Sequence, residues 1–592
     1  MKKRMFTYLM FVCFPILLFA QWSIDPSVNT KIIDTIGEQV LPKVAVNSDN
    51  GESYISWFSE FGDQQFDVYM QRLDVNGNSL WDADGLLISN HPTMSWVTDY
   101  DLVIDNDGCA VLVTQDLRTG GSNVYAYRIS PDGEFLWGED GIALTYDNDF
   151  NPSPKAVIDQ DGNILFAWAS EPSDTTQFIQ IFLQKLSTDG QFLWDDNTQI
   201  RKDSLHCWMP QILPLEDNST IVAWIETATT DTAMGAWPNM YPYAQKIDSN
   251  GGLVWPNNVA IDTLDNMPLA PFFPSLVSDG NSGFFISWMA FPEGQFYTSY
   301  VQHINSGGVP QWTSNGVNVS NLIQFQHSDP ALTYLTQEDE LFVFWNEWRE
   351  YSSSDVQCAI FGQKFSNIGE RLWTDEGEMF EGWYSCFDTL TYINGISSAT
   401  DTDFALFFEK EYMDLSPDTL VVTNYHAMRI NKDGGFVWNS EKALISSANS
   451  TKFSLVFSDL VDNQWIVAWS DNRNDPQHEW ENGIYAQNIN IDGNIGPVGI
   501  EENNEFTSST IINYPNPFSR STTVKYSIAE TGNVNISLFD SKGNYIKSIF
   551  NGISVKGTHT LTFDSFDLSP GIYLYKITTD NYSAYNKMLI IK

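Results

Sequence analysis

Short runs in which apolar and polar residues alternate occupy most of residues 21–500, with Gly, Asp and Asn between them. In one typical stretch, the runs are residues 154–158, 164–168, 182–186 and 192–200. Alternation with a period of two predicts β-strands, and the region shows no helical period. The short connections between the runs predict antiparallel pairing. The stretch therefore predicts one four-stranded antiparallel sheet, with strands A, B, C and D.

This stretch recurs along the chain. Each copy has a Gly six residues after a strand-C position, which is usually Gln, and a Trp four residues after that Gly. Seven copies are complete, and an eighth has Gly493 but Pro497 in place of Trp. The complete copies end at Trp81, Trp137, Trp194, Trp255, Trp312, Trp373 and Trp438. Repeated four-stranded sheets are typical of β-propeller blades, so the sequence predicts an all-β fold with eight blades. Seven blades are the alternative if the divergent seventh unit is an insertion.

The N-terminal segment is predicted to complete the last blade. Residues 29–33 resemble a strand D, and the last unit lacks a clear strand D after Gly493. A ring closed in this way leaves no free sheet edge.

The two ends of the chain differ from the repeat. A basic start, MKKR, precedes an apolar run, which predicts a secretory signal peptide over residues 1–20 and a propeller over residues 21–500. Residues 501–511 are polar and without periodicity, which predicts a linker. Alternating runs within residues 512–592 predict a small Ig-like β-sandwich.

Three phrases in this last domain carry a family resemblance. They are NYPNPF at residues 513–518, LSPGIY at residues 568–573 and the terminal KMLIIK at residues 587–592. Together they resemble the type A C-terminal sorting domain of the type IX secretion system of Bacteroidetes. The sorting-motif residues are Pro515, Asn516, Pro517, Gly571, Tyr573, Lys587 and Lys592. The resemblance implies passage through the periplasm, the type IX machinery and its sorting peptidase as partners, and a secreted or outer cell-surface location.

Composition excludes some classes of function. The chain has 30 Lys and Arg against 75 Asp and Glu, a net charge of −45, which excludes a protein that binds nucleic-acid phosphates. Beyond the signal peptide, no apolar stretch approaches ~18 residues, so no membrane span is predicted. No metal-ligand or cofactor motif is present, and the sequence predicts neither a metal nor a cofactor.

Candidate ligand-binding residues lie on one predicted face. The B–C and D–A connections emerge on the face opposite the short hairpins, and they are longer. Long loops on a rigid scaffold commonly bind ligands. Trp stacks on sugar rings, and Arg pairs with carboxylates. The candidates are Trp96, Trp208, Trp237, Trp348, Trp383, Trp480, His91, His206, His327, Arg118, Arg349 and Arg473.

The absence of a catalytic motif favours a binding or adhesion module for a glycan or a protein. The alternative is a hydrolase or lyase that acts on polysaccharides at the same loop-rich face. A group of carboxylates near the axis of the ring would favour the enzyme. The sequence nominates no catalytic residue, because 75 acidic side chains offer too many pairs.

Overall fold

A computed structural model describes most of the chain, and the chain divides into two compact units, Met1–Val498 and Gly499–Lys592. The described residues form 39 β-strands and no helix. This confirms the all-β prediction. The described residues therefore contain no helix that is long and apolar enough to span a membrane. The predicted signal peptide lies outside the described residues. The residues not described are 1–21, 61–64, 94–98, 175, 202–204, 228–238, 265–273, 293–295, 353, 414–420, 475–480, 498–510, 515, 517, 529–530, 541–544, 567, 580–582 and 592.

In the first unit, the described strands form eight four-stranded antiparallel sheets. The first three sheets contain β2 (Glu38–Val46), β3 (Ser53–Glu60), β4 (Phe66–Leu73) and β5 (Leu86–Ser89); β6 (Asp101–Ile104), β7 (Ala110–Asp116), β8 (Asn123–Ile129) and β9 (Ile142–Ala143); and β10 (Lys155–Ile158), β11 (Ile164–Ser170), β12 (Gln180–Leu186) and β13 (Thr198–Gln199).

The fourth to seventh sheets are likewise built from consecutive strands. They contain β14 (His206–Pro214), β15 (Thr220–Thr227), β16 (Met240–Ile247) and β17 (Val259–Ala260); β18 (Ser275–Ser278), β19 (Phe284–Ala290), β20 (Thr298–Ile304) and β21 (Val317–Asn318); β22 (Gln326–Leu335), β23 (Glu340–Ser352), β24 (Asp355–Ser366) and β25 (Glu378–Ser385); and β26 (Thr389–Thr400), β27 (Asp403–Met413), β28 (Val421–Asn431) and β29 (Lys442–Ser446).

The eighth sheet joins the two ends of the unit. It contains β30 (Lys452–Phe457), β31 (Gln464–Asp471), β32 (Gly483–Asn490) and the N-terminal strand β1 (Thr30–Ile33). Strand β1 pairs antiparallel with β32, and Thr30 lies opposite Ala486. The N-terminal segment therefore completes the last sheet, as the sequence predicts.

Neighbouring sheets contact one another in a closed series. The contacts join β2 with β6, β6 with β10, β10 with β14, β14 with β18, β18 with β22, β22 with β26, β28 with β30, and β30 with β2. Most of these are the first strands of their sheets, so strand A lies on the inside of the ring. Side chains that point inward from the first strands therefore surround a common centre.

The Trp that follows each Gly of the repeat lies against the next sheet. The indole N–H of Trp255 donates to Ser306 O at 3.1 Å, and a Cβ on Gly308 would meet the Trp255 ring at 2.7 Å. Gly308 has a φ of 77°, a conformation that favours glycine. The repeat therefore needs Gly at this position both for its backbone and to admit the ring.

Trp22 supplies the eighth copy of this contact. Its indole N–H donates to Val75 O at 3.0 Å, and a Cβ on Gly77 would meet the Trp22 ring at 2.6 Å. The Trp22 side chain is 2% exposed. Trp22 does not follow a repeat Gly at the usual spacing, so the spacing pattern does not identify it as a repeat Trp. In the structure, the N-terminal segment supplies with Trp22 the ring that the eighth copy lacks at Pro497.

The Trp at the end of strand B has a buried acceptor in several sheets. The indole N–H of Trp345 donates to Glu347 at 2.9 Å, and that of Trp469 donates to Asp471 at 3.0 Å. In the seventh sheet, Phe408 takes this position and has no N–H to satisfy. The acids that follow these Trp residues are therefore part of the core and are not free for chemistry.

The described residues of the second unit form two sheets. The first is formed by β33 (Ile511–Tyr514), β34 (Ser521–Ile528) and β37 (Gly557–Asp564), and the second by β36 (Tyr545–Ser554), β35 (Gly532–Asp540), β38 (Gly571–Thr579) and β39 (Ser583–Ile590). They enclose a core that includes Val524, Ile536 and Tyr575.

Asn516 of the sorting motif bonds strand β39. Asn516 accepts from the backbone N–H of Leu589 at 2.7 Å and donates to Lys587 O at 3.0 Å. Gly571 opens β38 opposite Ile590. The phrases that are far apart in sequence are thus neighbours in this unit. Pro515, Pro517 and Lys592 lie outside the described residues.

Candidate functional site

A cavity of about 510 Å³ lies among the fifth, sixth and seventh sheets. It adjoins a second cavity of about 440 Å³, because both are lined by Met289, Asp329, Ile393 and Asn394. The first cavity is lined at the ends of strands β23 and β27 that lead into B–C connections, which is the face that the sequence favours. Its described lining is Met289, Tyr297, Gln326, Ser328, Asp329, Trp348, Tyr392, Ile393, Asn394, Glu409 and Glu411.

Asp329 lies on a β-bulge of strand β22. Its φ is 53°, and the register with β23 shifts between Ser328 and Ala331. Leu41 and Met209 have the same left-handed conformation at bulges of β2 and β14. The bulge is thus a feature of the repeat, and it redirects the side chain that it carries. In the sixth sheet that side chain is a carboxylate, which lines the cavity.

Asn346 holds Asp329 in place. Its amide N–H donates to Asp329 Oδ2 at 2.9 Å, and its Oδ1 accepts from the backbone N–H of Ile393 at 3.1 Å. The fully buried Asn346 therefore joins the sixth sheet to the seventh and orients the carboxylate between them.

Glu409 and Glu411 come from strand β27 of the seventh sheet. Two residues apart on a strand, they share one face with Cα atoms about 7 Å apart. Burial and the charge of Glu411 raise the pKa of Glu409 to about 8. An N–H of Asn394 lies 3.4 Å from Glu409 Oε2 and offsets only part of this shift. Glu409 therefore keeps its proton at neutral pH.

Aromatic side chains form part of the wall. The rings of Trp348 and Tyr392 lie 6.0 Å apart at 48°. The indole Nε1 of Trp348 is buried, and it has no hydrogen-bond partner among the described residues. Burial and the nearby Glu411 raise the pKa of Tyr392, so it stays a phenol. The cavity thus combines flat apolar surfaces with a few polar groups, as ligand-binding pockets commonly do.

Of the twelve predicted ligand-binding residues, Trp348 lines this cavity. Trp96, Trp237 and Trp480 lie outside the described residues. Trp208 lies on β14 opposite Ile225, next to the bulge of that strand.

Each predicted Arg residue forms an ion pair with an acid of its own sheet. Arg118 makes an ion pair of 2.6 Å with Asp116, and Arg473 makes one of 2.5 Å with Asp471. Arg349 pairs with Glu347 at 3.1 Å, and its guanidinium lies 4.5 Å from the centre of the Trp383 ring. The partner of Arg349 is thus not the neighbouring acid in sequence. Each of these Arg side chains is therefore paired with a carboxylate, and Trp383 packs against Arg349.

The predicted His residues lie apart from one another. His327 is fully buried and lies 3.1 Å from Glu347 and 3.2 Å from Thr298. His206 accepts from the backbone N–H of Ile179 at 3.2 Å, and burial lowers its pKa. His91 lies 3.6 Å from Asp140. The structure does not bring the three together, and among the described residues no three His, Cys, Asp or Glu side chains are grouped as metal ligands are.

Sequence reasoning missed Asp329, Tyr392, Glu409 and Glu411. One signal pointed to the two Glu residues, because the seventh unit replaces the strand-B Trp by Phe408 and follows it with two acids. Asp329 had no such signal, because its orientation depends on the bulge.

The raised pKa of Glu409 predicts a pH-dependent stability. The folded protein keeps a proton that the unfolded chain releases above pH 4.5. The stability due to this proton is therefore fully present below pH 4.5 and is lost as the pH rises to about 8. Glu409→Gln removes the dependence. The melting temperature of the variant, relative to the native protein, is expected to rise steadily over this pH range.

Thermal unfolding in a pH series measures this effect. Glu350→Gln is the matched control, because Glu350 is exposed on the neighbouring sheet. A melting-temperature difference for Glu409→Gln that stays constant with pH would contradict the raised pKa.

One comparison with known proteins concerns the end of the chain. Residues 513–592 match the family described as the secretion system C-terminal sorting domain. No curated protein matches the sequence.

Three solved structures are similar in fold to a large part of the chain. Polysaccharide lyase Uly1 matches with a TM-score of 0.41 and 10% identity, over 78% of this chain and 91% of its own. The α-L-arabinofuranosidase of Fusarium graminearum matches with a TM-score of 0.32 and 10% identity, over 54% and 93%. A protein of unknown function from Dyadobacter fermentans matches with a TM-score of 0.31 and 12% identity, over 57% and 94%. At these scores they carry no argument about the activity of this chain.

The matched family indicates where the protein is exported. The motif phrases at residues 513–518 and 568–573 lie within the matched region, as does the terminal Lys592. The domain at residues 513–592 belongs to the secretion system C-terminal sorting domain family, and it directs the chain to the type IX secretion machinery for release or display at the outer cell surface.

Proposed function

We propose that this protein is an exported β-propeller that binds a polysaccharide in the cavity of Glu409 and hydrolyses its glycosidic bonds. The observation that carries the proposal is the arrangement of Asp329, Glu409 and Glu411 around one cavity with an aromatic wall. The sequence favours binding without catalysis, but it could not identify these carboxylates.

The propeller is itself part of the proposal. Eight four-stranded sheets among the described residues, each in contact with the next, support eight blades. The two sheets of the second unit support an Ig-like sandwich. Residues 1–20 as a signal peptide, 21–500 as the propeller, 501–511 as a linker and 512–592 as the sorting domain remain the proposed boundaries.

Glycosidic bond hydrolysis needs one carboxylic acid that is protonated and a second carboxylate. Glu409 is suited to be the general acid, because its raised pKa keeps a proton available to the leaving oxygen. Asp329, on a different sheet and oriented by Asn346, is suited to be the base or nucleophile. Glu411 raises the pKa of Glu409 and so tunes the acid. A sugar chain held between the sixth and seventh sheets would contact both groups.

Binding without cleavage is the second candidate. Trp348 and Tyr392 favour it, because an aromatic pair is sufficient to hold a sugar ring by stacking. A protein ligand belongs to this candidate as well. Adhesion to a glycan and hydrolysis of a glycan use the same cavity. A measurement of substrate turnover therefore distinguishes the two candidate functions.

Export to the cell surface agrees with either activity, because extracellular polysaccharides are met there. We propose that the sorting peptidase removes the C-terminal domain after transport. Attachment of the remaining chain or its release follows that step.

Trp348→Ala is expected to weaken polysaccharide binding about tenfold, because it removes one stacking surface of the cavity. The measurement is a titration of the full-length protein with a panel of oligosaccharides, together with assays for new reducing ends. Trp383→Ala is the matched control, because that ring packs on Arg349 and is not part of the cavity lining. Equal losses in both variants would remove the cavity from the proposal, and binding without new reducing ends would favour adhesion.

A further inference from the structure

The cavity of Glu409 has an uneven balance of charge. Three acidic side chains, Asp329, Glu409 and Glu411, lie among its described lining residues, and no Lys, Arg or His lies among them. Glu409 keeps its proton at neutral pH, so it adds no negative charge there. Anionic groups in a site that is partly shielded from water repel an anionic ligand more strongly than surface charges do.

Nearby cations do not compensate for this charge. Lys410 lies between the two Glu residues in sequence, but alternation on the strand directs it to the opposite face. There its ammonium group bonds Glu381 at 2.5 Å and Tyr384 at 2.9 Å. Lys442 bonds the other oxygen of Glu381 at 2.5 Å. Both ammonium groups are therefore held by one buried carboxylate, Glu381, and neither Lys lies among the described lining residues of the cavity.

Arg349 is also occupied. Its guanidinium pairs with Glu347 at 3.1 Å and lies over the rings of Phe325 and Trp383, 4.7 and 4.5 Å from their centres. Glu347 balances the charge of this guanidinium, and Arg349 is not among the described lining residues of the cavity. The described lining of the cavity therefore has carboxyl groups from the sixth and seventh sheets without a cation beside them.

The polar groups that remain suit hydroxyl groups. Carboxylates accept hydrogen bonds from hydroxyls, and Trp348 Nε1 can donate to an oxygen of the ligand, because it is buried without a partner among the described residues. Tyr392 adds a phenol, and its ring lies 6.0 Å from that of Trp348. A sugar ring has faces of C–H groups for the aromatic surfaces and hydroxyls for the carboxylates.

From these contacts we infer that the occupant of the cavity is an uncharged polysaccharide and not a polyuronate. The inference rests on the proposed function, and it narrows the substrate class. A uronate would bring its own carboxylate beside Asp329 and Glu411 without a cation to balance it. A consequence is that cleavage adds water across the bond, because elimination requires a uronate whose carboxylate is neutralised.

Binding of matched sugars tests the inference. Full-length Glu409→Gln protein is titrated with uncharged gluco-, galacto-, manno-, xylo- and arabino-oligosaccharides, and each hexose series is compared with the uronates of the same linkage. At least one uncharged series is expected to bind at least about tenfold more tightly than its uronate at about 20 mM salt. The difference is expected to shrink at about 500 mM salt, because screening weakens the repulsion.

Variants that remove one negative charge test whether the acidic side chains cause the preference for uncharged sugars. Glu411→Gln removes one negative charge and is expected to narrow the preference, whereas the exposed Glu350→Gln is expected to leave it unchanged. A uronate that binds as tightly as its uncharged partner overturns the inference, and so does a panel in which no uncharged sugar binds.

Turnover by the native protein keeps the two proposals separate. Selective binding of an uncharged sugar without turnover leaves the inferred ligand class in place and refutes hydrolysis. Cleavage of a polyuronate refutes the inferred class and leaves glycan cleavage in place.

Discussion

Glu409→Gln is expected to lower kcat on the polysaccharide substrate by at least about 100-fold while Kd changes little. A positioned general acid contributes about 10²–10⁴-fold to a rate, and Gln cannot donate a proton to the leaving oxygen. Gln keeps the size of the side chain, so the cavity retains its shape. The measurement combines kcat from reducing-end release with Kd from calorimetry.

The neighbouring acid provides a second readout. The charge of Glu411 helps to raise the pKa of Glu409 to about 8. In Glu411→Gln, the alkaline limb of the pH–rate profile is expected to move to lower pH, because the proton of Glu409 is then lost earlier. Glu350→Gln serves as the control for both measurements. Full activity in Glu409→Gln would assign the acid role to another residue.

Trp22→Ala is expected to destabilise the first unit by about 3 kcal/mol or more, the range for a buried Trp that is replaced by Ala. Trp22 is 2% exposed, covers Gly77 and donates a hydrogen bond to Val75 O. It lies on the segment whose strand β1 completes the eighth sheet. Its loss weakens the contact that joins the two ends of the unit.

Chemical denaturation followed by Trp fluorescence and by circular dichroism measures this loss. Ile36→Ala is the matched control, because Ile36 is 88% exposed on the same segment. Gly77→Ala is expected to act on the same contact, since its Cβ would meet the Trp22 ring at 2.6 Å. The double variant is then expected to be less destabilised than the sum of the two single variants. Additive effects, or a Trp22→Ala protein as stable as the control, would show that the ring does not depend on this contact.

Much of the fold follows from local patterns. Alternation over five to nine residues, with Asp-Gly and Asn-Gly turns, defines strands and hairpins within a single unit, and the regular return of Gly and Trp marks the next unit. These signals depend on neighbouring residues in the chain, so they can be read without knowing how the sheets pack. The sorting domain was recognised for a similar reason, because its phrases are contiguous.

The site depends on contacts between different sheets of the first unit. Asp329 and Glu409 are far apart in the chain, and they line one cavity because the bulge of β22 and the end of β27 both border it. Trp348 and Trp383 look alike in the sequence, yet one lines the cavity and the other packs on Arg349.

The amino-acid sequence alone was thus enough to establish a repeated four-stranded sheet and the route of export, and it predicts the face on which a ligand binds. Which acids converge, which aromatic rings remain available and how Trp22 joins the last sheet to the first were settled by the closed packing of the sheets. The physical reason is the distance along the chain over which each kind of interaction acts. Strand and turn preferences act over a few residues, whereas the cavity is formed by side chains from three sheets whose relative positions no local pattern encodes.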